Sequence, residues 1–164
     1  MEKLVEIKPK YSYPIRTSSK AILIQNDSIL TVKHNLNGRI FATLPGGGQN
    51  LNESLVESLI RECKEETGYL IEVGNLLFVR DYISNHHEFH TSDPDFHQVE
   101  LFFEAKILNI HSKFASEPDL HQIGVEWLPL EKLSSTELFP KILRTVIIKW
   151  LQGENINTYL GDVN

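Results

Sequence analysis

The sequence predicts a mixed α/β fold (α+β), with a mixed β-sheet carrying packed helices, and three observations lead there. Short β-rich runs recur along the chain, two segments switch to helical periodicity, and strands and helices interleave too unevenly for an all-parallel array. The length of 164 residues suits one domain, residues 1–164, around one core. Hydrophobic residues at 41% and charged residues at 23% give the balance of a globular chain rather than a disordered one.

Taken in order, Ser19 to Lys33 reads as a hairpin. Ala21-Ile22-Leu23-Ile24 and Ile29-Leu30-Thr31-Val32 are its arms, and Gln25-Asn26-Asp27-Ser28 supplies the turn chemistry. Ile40 to Leu44 reads as a strand stopped by Pro45 and three glycines. From Asn52 to Thr67 the pattern is helical, with Asn52 as N-cap and Gly68 as the stop. Val56, Leu59, Ile60 and Cys63 fall within one arc about 100° wide, the expected core-facing stripe. Leu70 to Tyr82 alternates enough for one or two strands, His86 to Phe96 reads as an exposed loop, and Val99 to Leu108 is a further strand. Val125 to Leu128 is a short strand, and Pro140 opens a helix whose apolar face is Ile142, Leu143, Val146, Ile147 and Trp150.

Several functional classes fall away on composition. No apolar run is long enough to span a bilayer, so no membrane partner is expected. Met1-Glu2-Lys3-Leu4-Val5-Glu6 flanks a very short apolar stretch with acids, unlike a secretory signal. Cys63 stands alone and cannot form an internal disulfide, which fits a reducing compartment, and a cytoplasmic location is the expectation. The formal net charge is -6 with no cluster of Lys and Arg, so no nucleic-acid partner is expected. An anionic protein that handles phosphates needs a local positive element, which a divalent cation could supply.

The chemistry concentrates on the first helix. Glu62, Glu65 and Glu66 stand at i, i+3 and i+4 and share one face, at the edge between core and solvent. Ionised together they repel, and a bound cation or a raised pKa would offset that. Oxygen donors at this spacing suit Mg²⁺ or Mn²⁺. Taken alone, the pattern is more often a solvated helix face. The glycines of Leu44-Pro45-Gly46-Gly47-Gly48 allow close backbone approach, but no Gly-Lys-Ser/Thr follows, so this is not a P-loop.

Read together, Gly47, Glu53, Arg61, Glu62, Glu65, Glu66 and Gly68 occupy every fixed position of the pattern G-x5-E-x7-R-E-U-x-E-E-x-G-U, with Cys63 and Tyr69 at the two bulky apolar sites. Residues 47–69 thus resemble the box of the Nudix (MutT-like) hydrolases. Where many members carry a glutamate and a glycine inside the first gap, this chain has Asn50 and Asn52. Trp127-Leu128-Pro129-Leu130 followed by a helix is similar to the end of many such domains.

The resemblance implies an α/β/α sandwich with a mixed sheet between helices, and Mg²⁺-dependent (or Mn²⁺-dependent) hydrolysis of a diphosphate linkage. The substrate would be a nucleoside diphosphate derivative or nucleotide. By position, Glu62, Glu65, Glu66 and the Gly46 carbonyl would hold the metal. Arg61 would orient Glu53 or one of the trio by a charge-assisted hydrogen bond, while Gly47, Glu53 and Gly68 would shape the box. The proton acceptor would be Glu62, or a downstream carboxylate among Glu100, Glu104, Glu117 and Asp119. The alternative is a non-catalytic Nudix-fold protein that binds a nucleotide or partner; such proteins usually lose box carboxylates, which this chain keeps. Markers of substrate subfamilies are absent downstream, and a homodimer is neither supported nor excluded. Trp127, Phe89 and Phe96 could stack on a base, Trp127 reading rather as core.

His86, His87, His90 and His97 cluster in one polar segment. A polar surface loop with incidental histidines is the leading reading, substrate contact the second, and zinc the least favoured. His87-Glu88-Phe89-His90 is one residue short of the spacing that puts two rings on one helix face.

Overall fold

The computed structural model describes residues 15–88, 95–110 and 119–164. Strands β1 (Arg16–Gln25) and β2 (Ser28–Leu36) form the expected hairpin, longer at both ends. Asn26 and Asp27 make its turn in the left-handed region, at φ 49° and 55°, which short polar side chains tolerate. Next come β3 (Arg39–Thr43), β4 (Gly46–Gly48), helix α1 (Leu55–Thr67), β5 (Tyr69–Ile83) and β6 (His97–Ile110). The chain continues through β7 (Gln122–Pro129), a 3₁₀ turn over Leu130–Ser135, β8 (Leu138–Phe139), helix α2 (Leu143–Leu151) and β9 (Tyr159–Asp162).

The sheet runs β8-β3-β2-β1-β6-β5-β9, with β4 paired to β1 and β7 to β2. It is mixed: β1 lies parallel to β6, whereas β5 and β6 are antiparallel. Only two residue pairs, Ile24 with Ile29 and Gln25 with Ser28, join β1 to β2. The strands therefore part beyond that corner, and the cleft described below lies in the gap.

Alternation along the strands divides the core between the two faces. Ile22, Ile29 and Phe102 turn towards α2 and pack with Leu143, Val146 and Ile147. Ala21, Leu23, Leu30 and Phe103 turn the other way, onto Leu59 and Cys63 of α1. Two helices thus sandwich one mixed sheet. No helix among the described residues is long and apolar enough to cross a membrane.

The structure corrects several expectations. Helix α1 is capped by Ser54, not Asn52: Ser54 Oγ accepts from Glu57 N at 3.2 Å while the Glu57 carboxylate accepts from Ser54 N at 2.7 Å. Asn52 instead turns the chain at φ 67°. Val56 is 43% exposed, because the buried face of α1 is rotated to include Ser58 and Glu66. Ser58 finds a buried partner in Ser19, their hydroxyls 2.8 Å apart, and a periodicity of apolar residues cannot register that. Gly68 does end the helix, in the left-handed conformation at φ 77°. Leu70 to Tyr82 belongs to a single strand with irregular register against β6. Pro140 lies in the turn ahead of α2, which begins only at Leu143. The glycine run does not simply stop a strand: Gly46, Gly47 and Gly48 form one, opposite Lys20, Ser19 and Ser18.

Candidate active site

Strand β4 brings α1 and β1 together, and its glycines are required by contact. A side chain at Gly46 would place Cβ 2.1 Å from the Ser19 carbonyl, and at Gly47 2.6 Å from the Glu62 carboxylate. Glu62 therefore lies flat against the backbone. The Gly46 N–H donates to Glu66 Oε2 at 2.8 Å, anchoring a carboxylate that is only 4% exposed.

Arg61 organises the other acids. Its Nε and Nη2 donate to the two Glu53 oxygens at 2.6 and 2.9 Å, a bidentate pair, and Nη2 also donates to the Gly48 carbonyl at 3.1 Å. Its Nη1 donates to Glu62 Oε1 at 2.8 Å and Glu65 Oε2 at 3.1 Å. Hydrogen bonds from Arg61, then from the Asn50 N–H, hold the Glu53 carboxyl down to about 2, and the Arg61 guanidinium is raised in turn, foremost by Glu53. The expected link from Arg61 to Glu53 and to the trio is thus present at once. Lysine at position 61 would keep the charge but lose the planar fork. Arg61→Lys is expected to weaken Mn²⁺ binding about 10- to 100-fold, as loss of a ligand-orienting partner does; unchanged affinity by calorimetry would remove Arg61 from that role.

The trio does not converge on one point. Glu62 and Glu65 turn to Arg61 and Glu66 to Gly46, and among the described residues no three acidic, His or Cys side chains form a ready-made cage. The donor chemistry nevertheless fits a hard divalent ion, which keeps waters and needs only one or two carboxylates besides phosphate oxygens. A cation already stands there: the Lys20 ammonium donates to the Gly46 carbonyl. Burial pushes the Glu66 carboxyl up to about 7, opposed by Lys20 and the Gly46 N–H and reinforced by Asp119 and Glu62. That is the signature of a buried anion short of positive charge.

This raised pKa has a sign that can be tested. Between its ordinary value of 4.5 and about 7, the folded chain keeps a proton on Glu66 that the unfolded chain has released. Stability from this group is therefore lost as pH rises through that window. The metal-free melting temperature is expected to fall by about 5 °C between pH 5 and 7.5, and Mg²⁺ should raise it more at pH 8 than at pH 5.5. A Mg²⁺ effect independent of pH would contradict the picture.

Two adjoining cavities open here, one of them beside Glu66. The first, of about 500 Å³, is lined by Lys20, His34, Thr43, Glu66, Asp119 and His121 among others. The second, of about 240 Å³, is apolar and aromatic, with Phe41, Tyr82, Phe96 and Phe139 in its wall. Lys20, Leu36, Phe41 and Thr43 line both, so the two adjoin along a shared wall and together are called the cleft. Buried His34 bonds Thr43 Oγ1 at 2.8 Å and stacks on Phe41 at 5.1 Å; burial and then Lys20 lower its pKa.

The downstream acids separate by position. Asp119 lines the cavity beside Glu66. Glu100 is buried at the aromatic end, where Arg80 Nε donates to it at 2.5 Å and Gln98 Nε2 at 2.9 Å, leaving neither oxygen unpartnered. Glu104 lies against Gly74 and lines neither cavity. Glu117 lies outside the described residues, as do Phe89 and His90. Phe96 lines the cleft, whereas Trp127 packs against the core beside α1. His86 and His87 hold Asp162, at 2.5 and 2.7 Å, and His97 lies 3.3 Å from Asp81. Sequence reasoning overlooked Lys20, His34 and Arg80. A lone lysine among the buried residues of β1 was the one signal that could have been noticed.

Fold and site together define a class: a helix–sheet–helix sandwich whose glycine strand presses a carboxylate helix against a cleft. The NUDIX domain family matches residues 15–150, and the chain belongs to that family, the Nudix hydrolases. A NUDIX hydrolase from Nitrosomonas europaea superposes with a TM-score of 0.70 at 16% identity, over 87% of this chain and 92% of that one. A UDP-X diphosphatase gives 0.67 at 21% identity, over 94% and 71%. An ADP-ribose pyrophosphatase from Streptococcus suis gives 0.62 at 20%, over 91% and 100%. At these identities the solved structures speak for the fold. A comparison with curated proteins finds no match.

Proposed function

We propose that this protein hydrolyses the diphosphate linkage of a nucleoside diphosphate derivative or nucleotide, with Mg²⁺ or Mn²⁺ as cofactor. The observation that carries the reading is the adjacency of two cavities across a shared wall: a buried, charge-deficient carboxylate and a lysine line one, and an aromatic pocket is the other. An anionic diphosphate suits the first and a flat base the second. Among proteins of this fold, one is a UDP-X diphosphatase and another an ADP-ribose pyrophosphatase, which points to the same substrate class.

Glu62, Glu65, Glu66 and the Gly46 carbonyl are the groups to hold the ion. When bound, it would neutralise phosphate oxygens and make water a stronger nucleophile at neutral pH. Arg61 holds Glu62 and Glu65 in place and is itself fixed by Glu53. Glu62, lying over Gly47, accepts the proton of the attacking water. Asp119 is the second candidate because it alone of the described downstream acids lines the cavity with Glu66. Phe41, Tyr82 and Phe139 exclude water from the aromatic end.

The test is a panel of nucleoside triphosphates, nucleotide sugars, ADP-ribose and dinucleoside polyphosphates, each with Mg²⁺ or Mn²⁺ and with chelator. Turnover of at least one compound, abolished by chelator, is expected. Binding without turnover across the panel would favour the non-catalytic alternative.

A further inference from the structure

We propose that Lys20 and the metal ion exclude one another at the Gly46 carbonyl. Lys20 holds the seat in the metal-free protein, and once displaced its ammonium turns to the phosphate in the cleft. The proposal rests on the metal-dependent reading above.

Three observations meet at this side chain. Its ammonium donates to the Gly46 carbonyl, the main-chain oxygen offered to the ion. Gly46 also donates through its N–H to Glu66, so one residue holds both the cation and the buried anion. Lys20 is also in the wall of both cavities, where its flexible four-carbon stem can reach either end. A carbonyl oxygen that already accepts from an ammonium cannot also bind a divalent ion at close range without repulsion between the two cations. The ion must move the ammonium. The space open to it is the cleft, where a phosphate would receive it.

An exclusion of this kind separates two quantities that a purely structural residue would move together. Mn²⁺ binding is measured by calorimetry and electron paramagnetic resonance on the full chain, and ADP binding on the Mn²⁺-saturated protein. Lys20→Met is expected to bind Mn²⁺ about tenfold more tightly, because its competitor is gone, and ADP about tenfold more weakly. Lys20→Arg, which keeps the charge, should stay within about threefold of wild type for Mn²⁺, and it keeps the question open to measurement if Lys20→Met does not fold. In the unmutated chain, the ¹⁵N signal of the Lys20 ammonium should shift on titration with diamagnetic Mg²⁺.

Unchanged or weaker Mn²⁺ binding in Lys20→Met, or a Lys20 signal indifferent to Mg²⁺, overturns the exclusion. ADP affinity that does not fall overturns the phosphate contact. Glu66→Gln separates these failures from that of the underlying reading. Mn²⁺ binding present in wild type and weakened at least about tenfold in Glu66→Gln leaves the metal site standing whatever Lys20 does, whereas no Mn²⁺ binding in wild type sinks both.

Discussion

Glu66→Gln and Glu62→Gln are each expected to lower turnover by about two to four orders of magnitude while leaving the fold intact. The fold survives because the amide oxygen can replace the carboxylate oxygen in the bonds that matter structurally. In Glu66→Gln it still accepts from the Gly46 N–H, and in Glu62→Gln it still accepts from Arg61. What each variant loses is charge. Glu66 is the buried carboxylate beside Lys20 and the Gly46 N–H, and without it the ion would lose its one buried ligand of the trio and Lys20 a nearby counter-charge. Loss at Glu62 removes both a ligand and the proposed proton acceptor. Single-turnover kinetics across a Mn²⁺ titration separate the two effects, since added metal should rescue Glu66→Gln in part and Glu62→Gln little. Near-normal turnover in both variants, with circular dichroism unchanged, would defeat the assignment.

Gly46→Ala and Gly47→Ala should differ in kind although the residues adjoin. At Gly46 the backbone has φ 128°, and the new methyl would sit 2.1 Å from one main-chain atom and 2.9 Å from another. Neither can move without parting β4 from β1, so a loss of about 3 kcal/mol or more is expected, read as a lowered urea midpoint. At Gly47 φ is not positive, and the methyl meets only the Glu62 carboxylate, at 2.6 to 2.8 Å. A side chain can swing aside. Gly47→Ala should cost little stability yet lower turnover about as far as Glu62→Gln does, and equal urea midpoints for both glycine variants would show that β4 does not hold the site in this way.

Much of the fold was legible because local rules suffice for it. The hairpin announced itself through β-rich arms and a polar turn, α1 through its periodicity and Gly68, and α2 through Leu143, Val146 and Ile147. Where the reading slipped, a partner distant in sequence had overridden the local signal. Ser58 is buried because Ser19 faces it, 39 residues away. Three glycines look like a chain break until β1 pairs with them. The short strands β8 and β9 exist through their pairing with β3 and β5, and no periodicity marks them.

By itself the sequence carried the resemblance to the family and the carboxylate helix, on which helix geometry sets the spacing of Glu62, Glu65 and Glu66. Only the tertiary structure decided which glutamate of the trio is buried, that Asp119 is the described downstream acid in the cavity with Glu66, that Arg61 pairs with Glu53 as well as with Glu62 and Glu65, and that Lys20 stands on the Gly46 carbonyl. The reason is physical. Spacing along a helix orders groups on one element, but burial and electrostatic potential at a carboxylate depend on atoms from β1, β4 and the approach to β7, which only the closed sheet brings together.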